Sequence, residues 1–191
     1  MKCIAFIVWT MGSLLSKMGA SHLQEGILKI CILGAGALGG ASGGVLTEAG
    51  NQVWLINRNA EQVAAMTTRG LVLREDGVDR TVAVQAATTA APAGVVDLVV
   101  VLVKSFHTAQ AMAAATALLG PDTVVLSLQN GLGHEDILAD IVGRARVLAG
   151  KLLPDRTILI EGEKIKAIGT PQAPLKIPSG ARVIAARGKF I

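Results

Sequence analysis

The stretch Ile30-Cys-Ile-Leu-Gly34-Ala35-Gly36-Ala37-Leu38-Gly39-Gly40 is an apolar strand that runs directly into a G-x-G-x-x-G turn and then into a helical pattern. Few folds accept that order. Gly34 allows a tight turn, Gly36 lets the backbone approach a phosphate, and Gly39 lets the following helix pack closely on its strand. A helix opening near Ala37 aims its unpaired N–H groups and the positive end of its dipole at an anion. The pattern predicts a pyrophosphate-binding turn built from Gly34, Ala35, Gly36, Ala37, Leu38 and Gly39. A chain with 22 glycines in 191 residues also produces such strings by chance, so the flanking residues decide.

Helical spacing continues through Leu38, Val45, Leu46 and Ala49, stops at Gly50-Asn51, and is followed by Gln52-Val-Trp-Leu-Ile56, a second strand. In an NAD site the end of this strand usually carries an Asp or Glu for the ribose 2′-hydroxyl; here it reads Asn57-Arg58-Asn59. Arg58 sets a cation where a 2′-phosphate would lie, and one charge-assisted hydrogen bond of roughly 1.5–3 kcal/mol is enough to prefer NADP over NAD. Arg58 also fits a second reading, that of a solvated loop residue.

Aromatic residues make up only 3% of the chain, which suits an alanine- and glycine-rich α/β fold and speaks against stacking platforms for single-stranded nucleic acid. The net charge of +4 is uneven: residues 1–150 hold 10 Lys and Arg against 11 Asp and Glu, while residues 151–191 hold 8 against 3. The basicity belongs to the tail, and no nucleic-acid motif accompanies it. Cys3 and Cys31 are the only cysteines, and Cys31 falls within the first strand, so no disulfide framework is expected and a reducing, cytoplasmic setting fits. His22, His107 and His134 lack metal-ligand spacing, so no metal site is expected. Residues 1–26 contain an apolar run too short to cross a bilayer and no clean small-x-small cleavage site; they read as a disordered or weakly helical extension, without a membrane role.

Further along, Asn59 to Arg69 is helical, and Leu71 to Val84 alternates around Asp76-Gly77, a tight-hairpin pair. Val95 to Val103 is a continuous apolar run, as in a central parallel strand buried on both faces, and it ends in Lys104. A helix is expected from His107 to Leu119, a break at Gly120-Pro121-Asp122, and a strand from Thr123 to Leu128 ending in Gln129-Asn130-Gly131. A helix from about His134 to Val142 and a short strand at Arg146-Val-Leu148 complete the unit. Arg58, Lys104 and Asn130 thus sit at the carboxyl ends of successive strands, where open α/β sheets bind ligands. Lys104 also reads as the first solvated residue after a buried strand, and Asn130 as a turn former.

Residues 28–150 resemble the N-terminal domain of the ketopantoate reductases (2-dehydropantoate 2-reductases). The resemblance rests on Lys29-Ile-Cys-Ile-Leu-Gly-Ala-Gly-Ala-Leu-Gly39, on Leu-Val-Lys104-Ser-Phe, and on Ser-Leu-Gln-Asn130-Gly-Leu-Gly-His-Glu-Asp. It implies NADPH-dependent reduction of the 2-oxo acid 2-dehydropantoate to pantoate, on the route to pantothenate and coenzyme A. It also implies that the glycine turn holds the pyrophosphate, Arg58 meets the 2′-phosphate, Lys104 lies near the cofactor, and Asn130 stands between cofactor and substrate. Reducing a ketone makes an alkoxide that needs a proton donor. The resemblance places that donor, a lysine, in a C-terminal helical domain expected after Gly150, so no catalytic residue is assigned in this chain.

Residues 156–191 instead alternate and are punctuated by Gly, which predicts short strands. They are similar to the small β-segment that opens many amidohydrolases, with Ala185 where that pattern has Asp, and no hydrolase chemistry is expected of them. The expected architecture is therefore α/β: a Rossmann-type doubly wound parallel sheet over 27–150 with an inserted β-hairpin, plus a short C-terminal β-rich appendage over 151–191. Two functions follow. One is the reductase; the other is a non-catalytic NADP-binding half-domain, with self-association through the face a helical domain would cover.

Overall fold

The computed structural model describes residues 27–149, 157–161, 164–170 and 172–181. The extension expected over residues 1–26 lies outside them. Contacts divide the chain into residues 1–150 and 151–191, and each part is described by itself.

The first part begins with β1 (Lys29–Leu33), α1 (Ala37–Glu48), β2 (Gln52–Ile56) and α2 (Ala60–Arg69). A hairpin of β3 (Leu71–Glu75) and β4 (Val78–Val82) follows, then β5 (Gln85–Ala87) and β6 (Val96–Val101). The remaining elements are α3 (Thr108–Ala113), β7 (Leu119–Ser127), α4 (His134–Val142) and β8 (Val147–Leu148). Six strands form one sheet in the order β5-β2-β1-β6-β7-β8, every neighbouring pair parallel. The chain leaves β1 toward β2 and β5, then returns to the opposite side with β6. That reversal beside β1 opens a crevice at the carboxyl ends of the strands.

Alternation within β1 explains why helices cover both faces. Ile30 and Ile32 join a core with Leu46 of α1, Met66 of α2 and Leu55 of β2; Cys31 and Leu33 join the other with Met112 of α3 and Leu138 of α4. Burying each such large aliphatic side chain contributes about 1.5–3 kcal/mol, and in β1 every residue from Ile30 to Leu33 is buried on one face or the other. The face of α1 toward the sheet is made largely of glycine. A Cβ on Gly43 would lie 2.3 Å from Leu55 Cδ2, so the helix axis sits nearer the strands than an alanine face would permit. Leu38, which the helical spacing groups with the apolar positions, is 56% exposed and lies at the mouth of the glycine turn instead.

The hairpin forms a separate two-stranded sheet, with Asp76 at φ 50° and Gly77 at φ 80°, the geometry an Asp-Gly turn supplies. It is tied to α1 by Arg80, which donates to Glu48 at 2.7 Å and to Glu75 at 2.8 Å. Strand β5 carries no apolar alternation and escapes a reading by periodicity. The single helix expected from His107 to Leu119 is divided into a 3₁₀ turn at Ser105–His107, the short α3, and a second 3₁₀ turn at Thr116–Leu118. Tertiary demand overrides alanine propensity here: Ala115 and Leu118 are buried in the core and Leu119 pairs with Val96, so the chain must leave the helix early to reach the sheet.

Gly120-Pro121-Asp122 lies inside β7 instead of before it. The register jumps there, with Val96 opposite Leu119 and Leu98 opposite Val124, so the three residues form an irregularity where a proline is tolerated. Thr123 Oγ1 repairs the interrupted ladder, accepting from Gly120 N at 2.8 Å and donating to Val96 O at 2.6 Å.

In the second part, β9 (Thr157–Glu161) and β10 (Lys164–Gly169) pair antiparallel, as the alternation predicts, with Lys166 2.6 Å from Glu161. Ile177 to Ala181, expected as the start of a further strand, is turn and coil, with Ala181 N donating to Pro178 O. Pro178 has no N–H for a ladder. The rest of that expected strand lies outside the described residues.

Candidate dinucleotide-binding site

The three glycines of the turn face three different surroundings. Gly34 has φ +105°, and a Cβ on it would come within 2.7 Å of the Leu102 carbonyl carbon and Val103 N, so both conformation and the nearby end of β6 demand glycine. Gly39 is pressed against the turn itself, where a Cβ would meet Gly34 O at 2.2 Å. Gly36 differs: a Cβ there would meet nothing within 4 Å. Sterics inside the protein leave this position free, and the exposed backbone opens onto solvent just where a ligand would approach the helix.

Hydrogen bonds hold the turn from one side. Gly34 N and Ala35 N both donate to Ile56 O, at 3.1 and 2.8 Å, and Gly36 N donates to Gly34 O at 2.9 Å. Ala35 is buried and contributes no side chain to the crevice. The anion-facing donors are therefore the amides of Ala37, Leu38 and Gly39, which belong to the first turn of α1 and have no intrahelical acceptor. No side chain caps that end and no acidic residue stands in its first turn, so its positive dipole end is uncompensated. The arrangement fits a pyrophosphate, whose oxygens accept hydrogen bonds and carry the opposite charge.

Around the turn, residues from neighbouring strands fix its walls. Asn57, directly after β2, donates through Nδ2 to Ala35 O at 2.8 Å, and Asn59 caps α2 by accepting from Gln62 N at 3.1 Å. Arg58 between them is exposed, and its Nη2 lies 3.1 Å from His107 Nε2. Lys104, three residues beyond β6, is exposed and opens the 3₁₀ turn that ends at His107. Gln129, after β7, donates through Nε2 to Val103 O at 2.8 Å and to Thr108 Oγ1 at 2.7 Å, joining the ends of β6 and β7. Asn130 is exposed, and its carbonyl lies 2.9 Å from His134 Nε2. Among the described residues, no carboxylate pairs with Arg58 or Lys104.

The sheet thus lines up the glycine turn, Arg58, Lys104 and Asn130 along one edge, at the carboxyl ends of β1, β2, β6 and β7. Asn57, His107 and Gln129 join them, though sequence reading did not single them out as site residues. Polar residues directly after an apolar strand are a usable signal for Asn57 and Gln129. His107 has none, because its contact spans 49 residues. Cys31 is no part of the chemistry: burial pushes its thiol up to about 12, and it faces the core from the middle of β1.

A central parallel sheet wound on both faces, with a glycine turn opening onto an uncapped helix at its reversal point, defines a Rossmann-type dinucleotide-binding domain. Comparison with known proteins then separates this domain from others of its class. The ketopantoate reductase PanE/ApbA family matches residues 30–161, and the chain belongs to that family. The 2-dehydropantoate 2-reductase of Pyrococcus horikoshii is 39% identical over 117 residues, covering 61% of this chain and 38% of that protein. That of Halobacterium salinarum is 37% identical over 124 residues, covering 64% and 41%. The chain therefore spans about two fifths of the length of the curated relatives it matches. Among solved structures, 2-dehydropantoate 2-reductase from Geobacter metallireducens matches with a TM-score of 0.59 at 32% identity, over 71% of this chain and 44% of that one. The ternary structure of D-mandelate dehydrogenase with NADH and anilino(oxo)acetate matches with a TM-score of 0.61 at 32% identity, over 71% and 43%.

Proposed function

We propose that residues 27–150 bind NADP(H) as the cofactor half of a 2-dehydropantoate 2-reductase, serving reduction of 2-dehydropantoate to pantoate on the route to pantothenate and coenzyme A. The observation that carries the cofactor choice is the end of β2, where Arg58 stands exposed with no carboxylate partner among the described residues. A ribose 2′-hydroxyl calls for an acceptor at this place, whereas a 2′-phosphate calls for a guanidinium. The NADH-bound mandelate dehydrogenase shares the fold, so the choice between cofactors rests on the chain's own residues. When bound, the nicotinamide supplies the hydride for the ketone carbon.

The chain's residues would bind and orient. First-turn amides of α1 hold the pyrophosphate, Arg58 the 2′-phosphate, and Lys104 adds positive charge beside it. Asn130, exposed after β7, would hydrogen-bond between nicotinamide and substrate, as the family resemblance implies. The alkoxide formed on hydride addition also needs a proton. By the family resemblance its donor is a lysine of a helical domain, while β9 and β10 of this chain pair as antiparallel strands. We infer that turnover needs a helical half of that kind, and that residues 27–150 serve it as the NADP-binding module. The substrate is a small 2-oxo acid, the setting cytoplasmic, and neither nucleic acid nor a membrane takes part. Leu38 in the first turn of α1, Phe106 in the 3₁₀ turn after β6 and Leu132 in the loop after β7 are exposed at this edge, and self-association through this face accompanies the proposal.

A paired measurement tests the reading: NADPH binding by fluorescence titration, and 2-dehydropantoate-dependent NADPH oxidation by the purified chain. Binding without oxidation is expected. Rapid oxidation by the chain alone would overturn the inferred need for a helical half, and no nucleotide binding would overturn both functions. Arg58→Ala should weaken NADPH about tenfold or more while leaving NADH unchanged; equal loss for both would remove the 2′-phosphate from Arg58.

A further inference from the structure

We propose that His107 positions the Arg58 guanidinium over the glycine turn, and so sets how strongly this domain prefers NADPH to NADH. The inference rests on the NADP(H) reading above and deepens it. Arg58 follows β2 and His107 ends the 3₁₀ turn after β6, while β1 lies between those two strands in the sheet. Their contact of 3.1 Å therefore crosses the carboxyl end of β1, where the phosphate-binding turn begins.

The chemistry of the pair fixes the role of each partner. A guanidinium has donors only, so His107 must accept through an unprotonated Nε2 and carry its proton on Nδ1. One N–H of Arg58 is taken up this way. The others stay free, because no carboxylate pairs with Arg58 among the described residues. An ion pair would have neutralised the guanidinium, whereas a neutral imidazole restrains it and leaves its charge for an anion. A restrained arginine also loses less rotamer freedom when a phosphate arrives.

His107 is itself well anchored for this purpose. Its backbone N donates to Lys104 O at 2.8 Å, and its ring packs on Phe106 with centroids 4.4 Å apart. The next residue, Thr108, is fully buried, donates to Ser105 O at 2.8 Å and accepts from Gln129 Nε2 at 2.7 Å. The backbone carrying His107 is thus fixed to the end of β7. Placement of Arg58 is inherited from the sheet through this chain of contacts, although its own side chain is exposed.

The test is a double-mutant cycle read by NADPH and NADH titration of the purified full chain, with melting temperatures to verify folding. His107→Leu should weaken NADPH by about three- to tenfold, the range of one hydrogen bond's contribution, and leave NADH unchanged. His107→Gln, which keeps an acceptor, should restore the parent's preference. In the Arg58→Ala background, His107→Leu should have no further effect. Equal weakening of both cofactors by His107→Leu, or none of either, overturns the positioning role. An undiminished effect in the Arg58→Ala background also overturns it, by showing that His107 meets the phosphate directly. If Arg58→Ala alone leaves the preference unchanged, the NADP(H) reading falls and the inference with it.

Discussion

Gly36→Ala should weaken cofactor binding about tenfold or more while leaving the fold intact, whereas Gly39→Ala, three residues away, should first cost stability. At Gly36 the backbone has φ −77° and ψ −159°, which alanine adopts, and its Cβ would touch nothing within 4 Å. Two small effects then oppose each other. Fewer unfolded conformations favour alanine by about 0.4–1 kcal/mol, and alanine's poor fit at a helix N-cap costs about as much. Net stability should change by less than about 1 kcal/mol, or about 2–4 °C in a chain of this size. The new methyl group, however, would occupy the space through which, in the proposed binding mode, the phosphate reaches the amides of Ala37 and Leu38. A loss of tenfold or more in NADPH affinity, about 1.4 kcal/mol, is expected.

At Gly39 the same methyl group would lie 2.2 Å from Gly34 O, a backbone atom that cannot swing aside. Overpacking of this kind costs about 1–3 kcal/mol or more, so the melting temperature should fall by several degrees before any ligand is considered. Thermal denaturation and NADPH titration of the two variants side by side give the answer. Parent-like affinity in a stably folded Gly36→Ala protein would refute the placement of the pyrophosphate over this turn.

Two further outcomes follow from packing and charge. Cys31, its thiol raised to about 12 by burial, should resist alkylation at pH 8 until the sheet opens; mass mapping of the Cys31 peptide should show labelling that tracks unfolding, and labelling at a free thiol's rate in the native state would contradict the fold. Hydrogen bonding to Arg80 holds the Glu48 carboxyl below its ordinary value of 4.5, so its contribution to stability is complete above that value and is lost as pH falls through the lower, folded one. Arg80→Ala should therefore lower the melting temperature most near neutral pH, and the gap from the parent should narrow in acid; a gap independent of pH would assign Arg80 a packing role only.

Legibility in the sequence followed the range of the interactions. The succession β1, glycine turn, α1 and β2 could be read because the glycine spacing and the apolar periods on either side of it are local patterns, with Gly39 pressed on Gly34 O only five residues back, and the hairpin because Asp76-Gly77 carries its own turn geometry. Arg58, Lys104 and Asn130 could be read because each stands where an apolar run stops. What stayed hidden depends on distant partners. Breaking the helix expected up to Leu119 is dictated by the pairing of Leu119 with Val96, and Gly120-Pro121-Asp122 is kept inside β7 by Thr123 bonding to Val96 O. His107 gains its role from a residue 49 positions earlier, and Gln129 from a carbonyl 26 positions away. No local pattern encodes either partner, although its place directly after an apolar strand does mark Gln129.

The glycine turn is suspended from its neighbour: both Gly34 N and Ala35 N donate to Ile56 O, and Asn57 secures Ala35 O in return. The last residue of β2 thereby serves as a common mounting for the pyrophosphate cradle and for the arginine that follows it. Spacing between the two proposed subsites is consequently set by the protein's own hydrogen bonds, so the proposed nucleotide would dock on a template that these bonds already hold. Association should proceed in a single fast phase whose rate rises linearly with nucleotide concentration, and a shift of Ile56 should weaken pyrophosphate and ribose contacts together.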